Sequence, residues 1–204
     1  MPDIADSFSS IRRFNQSQLR VKGSKFIASA FPVENEKEVQ DSIGKIRKEF
    51  YDATHHSFAY RIKLKEKDIF RASDAGEPKG TAGEPILLTI RSRNLYNILV
   101  VVTRYFGGTK LGKGGLSRAY QQAASEVLET SKIVERLITR ELEFIFPLNM
   151  IGKVTQVLNK YGARILEKDF QTEGKLNIEV RTSQKENLVK ALIGVTAGQV
   201  KFQK

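Results

Sequence analysis

The sequence predicts a two-domain α+β protein. The first part mixes strand-period and helix-period apolar patterns around two glycine-rich stretches, and the last third runs through a regular β-α-β-β-α-β order. A length of 204 residues suits two small domains, since domains commonly run to about 100 to 200 residues. The expected division is 1–136 and 137–204, with no Gly/Ser linker between them.

Each element follows from its residues. Residues 18–33 are rich in β-branched and apolar side chains broken by Lys22-Gly23-Ser24, which reads as an opening strand pair or a kinked strand. A helix starting at Asn35 or Glu36 carries Val39, Ile43, Ile46 and Phe50 as a stripe for a sheet. Residues 57–64 alternate Phe58, Tyr60, Ile62 and Leu64 with Ala59, Arg61 and Lys63, predicting a strand with one wet face. Residues 73–85, SDAGEPKGTAGEP, hold three glycines and two prolines, so they form a shaped loop before a short helix reaching about Arg93. The apolar run 97–106 predicts a central strand covered on both faces. A second glycine stretch, 107–115, leads into a helix over about 116–134, with Ala119, Ala123, Val127 and Leu128 facing inward.

Beyond Glu135 the pattern predicts strand 138–147, helix 149–160, strands 163–170 and 175–182, helix 184–193 and strand 198–203. Turn signals at Tyr161-Gly162 and Glu173-Gly174 fall where a ferredoxin-like split βαβ requires them.

Composition narrows the function classes. The absence of cysteine excludes disulfides, thiolate metal sites and cysteine nucleophiles. No apolar run approaches the roughly 20 residues of a membrane span, so a cytoplasmic location without membrane contact is expected. The formal net charge of +11 attracts polyanions, with nucleic acid the obvious candidate; a merely solvated basic surface is the alternative.

Chemistry could reside in three places. In RYFGGTKLGKGGLSR, Arg104, Lys110, Lys113 and Arg118 stand with no acidic residue between them, and Gly107, Gly108, Gly112, Gly114 and Gly115 let backbone approach a ligand. Tyr105 and Phe106 offer faces for stacking, and Lys79 and Thr81 from the earlier loop join this candidate anion or nucleic-acid set. The competing reading is a glycine turn shaped for close packing. Neither a Walker A nor a dinucleotide fingerprint is present, which argues against nucleotide hydrolysis. Secondly, His55 with Asp74 and Glu77 could form an acid/base set for a hydrolase acting on a small anionic substrate, although a structural role for the histidine is the more ordinary reading. His55 and His56 are adjacent on an extended chain and so point to opposite faces. No protease or serine-elbow motif appears, and no cofactor or metal is called for. Thirdly, the exposed sheet of the C-terminal domain could serve a protein partner.

KGSKF at 22–26, HHSFAY at 55–60, SDAGEPKGTAGEP at 73–85 and above all VVVTRYFGGTKLGKGGLSRAY at 100–120 resemble the YigZ/IMPACT family. The resemblance is dense over about residues 15–135. It implies a first domain like ribosomal protein S5 domain 2 and a second like the late ferredoxin-like domains of elongation factor G. RNA, the ribosome or translation factors are thereby implied as partners, with regulation of translation as the role. The family's signature falls on His55, Asp74, Gly76, Glu77, Pro78, Gly80, Thr81, Gly83, Arg104, Tyr105, Gly107, Gly108, Lys110, Leu111, Gly112, Gly114, Gly115 and Arg118. Two positions depart from it. Ala75 stands where a second aspartate is usual and Ser57 where cysteine is frequent, and the lost carboxylate favours binding over metal chemistry.

Overall fold

The computed structural model describes residues 6–64 and 68–203. They divide into two compact units. One is Ser9–Glu135; the other takes residues 136–203 together with 6–8. The strands β1 (Ser7–Ile11) and β7 (Ile133–Leu137) form a two-stranded sheet where the chain passes between the units.

The first unit is built on a five-stranded antiparallel sheet. Its order is β2 (Asn15–Val21), β3 (Ser24–Pro32), β6 (Ile98–Tyr105), β4 (His55–Ile62), β5 (Ile69–Ser73). Lys22 and Gly23 both take positive φ, 46° and 82°, and join β2 to β3 through a two-residue turn whose twist matches that of the strands. Helix α1 (Glu36–Glu49) starts where the Asn35 side chain accepts the Glu38 amide, and it buries Val39, Ile43 and Ile46. These residues pack with Phe58, Tyr60, Ile62, Leu99 and Val101 on one face of the sheet. The opposite face meets α2 (Gly83–Ser92) and α3 (Gly112–Glu129), whose Ile86, Ile90, Tyr120 and Ala123 lie against Phe26, Ala28, Val100 and Val102. Central β6 is therefore buried on both sides, which accounts for its unbroken apolar run.

Three expectations need correction. Strand β4 has no wet face over its middle, because the small residues Ser57 and Ala59 are fully buried and let α2 approach closely. Leu64 lies past the strand and is exposed. Helix α3 starts inside the glycine run at Gly112 and ends at Glu129; the chain becomes extended again at Ile133. Strands β1, β5 and β7 were not anticipated, and β5 takes Ser73 from the start of the expected loop.

The second unit pairs β11 (Lys201–Phe202), β8 (Thr139–Phe146), β10 (Gly174–Arg181) and β9 (Arg164–Phe170) in that order, all antiparallel. With α4 (Ile151–Lys160) and α5 (Lys185–Val195) this is the expected β-α-β-β-α-β arrangement. Phe144, Phe146, Leu176, Ile178, Val154, Leu158, Leu188 and Leu192 fill its core. Residues at intervening strand positions form ion pairs, Lys175 with Glu143 and Arg164 with Glu179. The exposed sheet face proposed for a protein partner is thus charged rather than apolar. Among the described residues, no helix is long and apolar enough to cross a membrane.

Candidate functional site: a cleft at the start of helix α3

Both glycine-rich stretches contribute to one cleft of about 350 Å³ in the first unit, with walls that include Pro78, Phe106, Lys110, Leu111, Lys113 and Leu116. Its floor is an ion pair. The side chains of Glu77 and Arg104 are only 2% and 7% exposed, and Arg104 Nη1 donates to Glu77 Oε1 at 2.7 Å. The same carboxylate oxygen accepts the Tyr120 hydroxyl at 2.8 Å. Burial first, and then the Glu77 carboxylate, hold that hydroxyl far above its ordinary pKa, so Tyr120 remains a donor. Arg104 Nη2 reaches Ser24 Oγ at 3.4 Å, while its Nε is buried without a hydrogen-bond partner. A buried charge needs its counter-charge, and Glu77 supplies it. Arg104, expected among the phosphate contacts, is instead buried and paired with Glu77 as the internal anchor of the cleft.

Helix α3 presents its uncapped first turn to the cleft. It begins Gly112-Lys113-Gly114-Gly115, has no side-chain cap at Leu111 and has no acidic residue in its first turn. The first amides of a helix lack intrahelical acceptors, and the helix dipole adds partial positive charge there. Lys110 and Lys113 flank this turn as exposed residues. A β-carbon at Gly114 would stand 3.6 Å from Arg118 Nη1, which places that guanidinium beside the turn as well. Gly112 and Gly108, with φ of 68° and 83°, bend the approach into the helix.

Gly107 answers to a different demand. A β-carbon there would lie 1.9 Å from the carbonyl carbon of Gly23, so the strand turn and the glycine stretch cross at backbone contact. For this glycine the packing explanation is the correct one. Tyr105 is also displaced from the expected site: alternation along β6 sends it to the other face of the sheet from Arg104, where its hydroxyl donates to Asp52 at 2.8 Å. Thr81 is buried and donates its hydroxyl to the Pro78 carbonyl, so it is not an anion ligand; Lys79 is exposed in the same loop.

His55, Asp74 and Glu77 do not assemble as an acid/base set. His55 Nδ1 donates to the Ala75 carbonyl at 3.0 Å and braces the loop. Asp74 accepts three backbone amides, from Gly80 at 2.7 Å, Ala82 at 3.0 Å and Gly83 at 2.9 Å, and so caps α2 from outside the helix. Burial raises its pKa, but those three donors together outweigh burial and leave the carboxyl below its ordinary value. Glu77 is held by Arg104 and Tyr120. His56 points to the α1 side and meets Thr103 Oγ1 at 3.1 Å; burial, then the charge of Arg47, lowers its pKa. No group of three or more His, Asp or Glu suited to a metal ion occurs among the described residues.

Sequence reasoning missed Tyr120, which closes the Glu77 interaction, and the pairing of Glu77 with Arg104. The signal was available. An arginine that follows the apolar run of a strand expected to be covered on both faces is a candidate for burial, and a buried arginine requires a carboxylate.

The Impact N-terminal domain model matches residues 22–128. An IMPACT family member of Bacillus subtilis, YvyE, is 36% identical across 88% of this chain and 82% of its own length. A Thermus thermophilus IMPACT family member is 39% identical across 72% of this chain and 76% of its own. The chain belongs to the IMPACT family. The Protein IMPACT homolog of Dictyostelium discoideum is 39% identical, but over 45% of this chain and 27% of that protein. A crystal structure of a hypothetical protein superposes with a TM-score of 0.73 at 23% identity, covering 98% of this chain and 97% of the other, and so shares the fold.

Proposed function

We propose that this protein binds RNA through the α3 cleft and acts in the regulation of translation. The observation that carries the reading is the uncapped first turn of α3, free of acidic side chains and ringed by Lys110, Lys113 and Arg118. Phosphate groups suit such a turn, since its amides supply directional donors and the lysines supply charge. The net charge of +11 brings polyanions to it at long range. Translation enters through the family: the resemblance to S5 and elongation factor G domains implies partners on the ribosome or among its factors. Because Glu77 already neutralises Arg104, the working contacts are Lys110, Lys113, Arg118 and the helix amides, with Lys79 exposed on the neighbouring loop.

The test is a titration of the purified protein with mixed cellular RNA and with ribosomal subunits across a salt series, alongside Lys110→Ala/Lys113→Ala. Each lost phosphate contact on a single strand lowers the slope of log K against log salt by about 0.7, so the double variant should flatten it by roughly 1.4 and weaken binding. Affinity independent of salt, or unchanged in the double variant, sinks the reading.

A further inference from the structure

The cleft contains more than phosphate backbone would use. Pro78, Leu111 and Leu116 give it apolar walls, and the Phe106 ring is 49% exposed at its mouth. A backbone-tracking groove gains nothing from an apolar lining, whereas a pocket that takes a flat, partly apolar group does. The Arg104 guanidinium lies 5.5 Å from the centroid of Phe106 and 5.6 Å from that of Phe26, and it is fixed by Glu77 beneath the ring. Arg104 lines the same cleft, and its Nε is buried without a hydrogen-bond partner. Phe106 thus has one polarised, immobilised neighbour and a free surface beside the basic turn.

Resting on the RNA reading above, we infer that the cleft holds one unpaired nucleotide, its base stacked on Phe106 and its phosphate against the first turn of α3 between Lys110 and Lys113. A volume of about 350 Å³ falls at the lower end of small-ligand clefts and suits one nucleotide rather than a helix groove. A base inside a duplex keeps both faces covered by its neighbours and cannot offer one to Phe106. The protein should therefore select single strands, strand ends and loops, with little preference among bases, because every base has a face to stack.

Fluorescence anisotropy with three labelled probes of equal phosphate number tests this: a single-stranded RNA, a duplex RNA and a single strand of abasic sugar-phosphate. Each is titrated with the unaltered protein, Phe106→Ala, Phe106→Tyr and Lys110→Ala/Lys113→Ala. Phe106→Ala should weaken the single-stranded RNA by about tenfold, leave the duplex and abasic probes unchanged, and be rescued by Phe106→Tyr. The lysine pair should weaken all three probes. If Phe106→Ala alters no probe, or alters the abasic strand as much as the RNA, the nucleotide pocket is overturned while the RNA reading stands. If the unaltered protein binds none of the probes at low salt, the RNA reading falls and the pocket with it.

Discussion

Glu77 and Arg104 illustrate how a residue can stand at the wall of a cleft and still be unavailable to its ligand. Replacing Glu77 by alanine would leave the guanidinium buried and uncompensated, for which a cost of about 3 to 5 kcal/mol is expected in urea unfolding. Replacing both members with apolar residues, Glu77→Leu/Arg104→Met, should recover most of that loss; a double variant as unstable as Glu77→Ala would contradict the argument. Asp74 makes a second residue-scale prediction. Its folded-state pKa is depressed, so its stabilisation is fully present at neutral pH and is lost as pH falls from the ordinary aspartate value of 3.8 through the lower folded value. Asp74→Asn should therefore unfold at a lower temperature than the unaltered protein at pH 7, with the gap narrowing below pH 3.8. A gap that stays constant with pH would show that the carboxylate charge is not what holds the three amides.

At the scale of elements, the start of α3 sets stability against binding. A negative charge in the first turn complements the helix dipole and repels phosphate. Lys113→Glu should leave the unfolding free energy unchanged or raise it by about 0.3 to 1 kcal/mol while RNA binding falls. Loss of both together would indicate a structural role for Lys113. This helix also shows where sequence reading stops. Glycine costs about 1 kcal/mol in a helix interior, so Gly112, Gly114 and Gly115 argue for a loop, and a start at Leu116 follows from local propensity. The helix begins earlier because its buried face, from Leu116 through Tyr120 to Leu128, is long enough to impose the conformation on the preceding turn. The stripe of α1 and the apolar run of β6 were legible because each has one periodicity and one burial to match. The wet face expected on β4 was misread because Ser57 and Ala59 look solvent-tolerant while their small size is what admits α2. Lys110, Lys113 and Arg118 were legible as a basic set, whereas the opposite directions of Arg104 and Tyr105 become significant only once β6 has a helix layer on each side.

At the scale of the molecule, the second unit includes the beginning of the described chain as well as its end. Asp6 accepts the Ile138 amide on its carbonyl and the Ser183 amide at 2.8 Å on its carboxylate, which also accepts the Ser183 hydroxyl. Asp6→Ala should speed hydrogen exchange at Ser183 and lower the stability of that unit by about 1 to 3 kcal/mol, as expected for a hydrogen bond to a charged group. Unchanged exchange at Ser183 would mean the tie does not hold the segment. Residues 9–135 are in effect an insertion between two pieces of the other unit.

That threading gives synthesis on the ribosome a fixed schedule. When Glu135 has just emerged, the first unit has all of its own residues; Ile138, which binds the Asp6 carbonyl, follows almost at once, but Ser183, which binds its carboxylate, comes only after more than forty further residues. The nascent chain therefore passes through a stage in which the first unit can be finished while the Asp6 carboxylate is still unclaimed, and that tie closes only after all of residues 9–135 have been made.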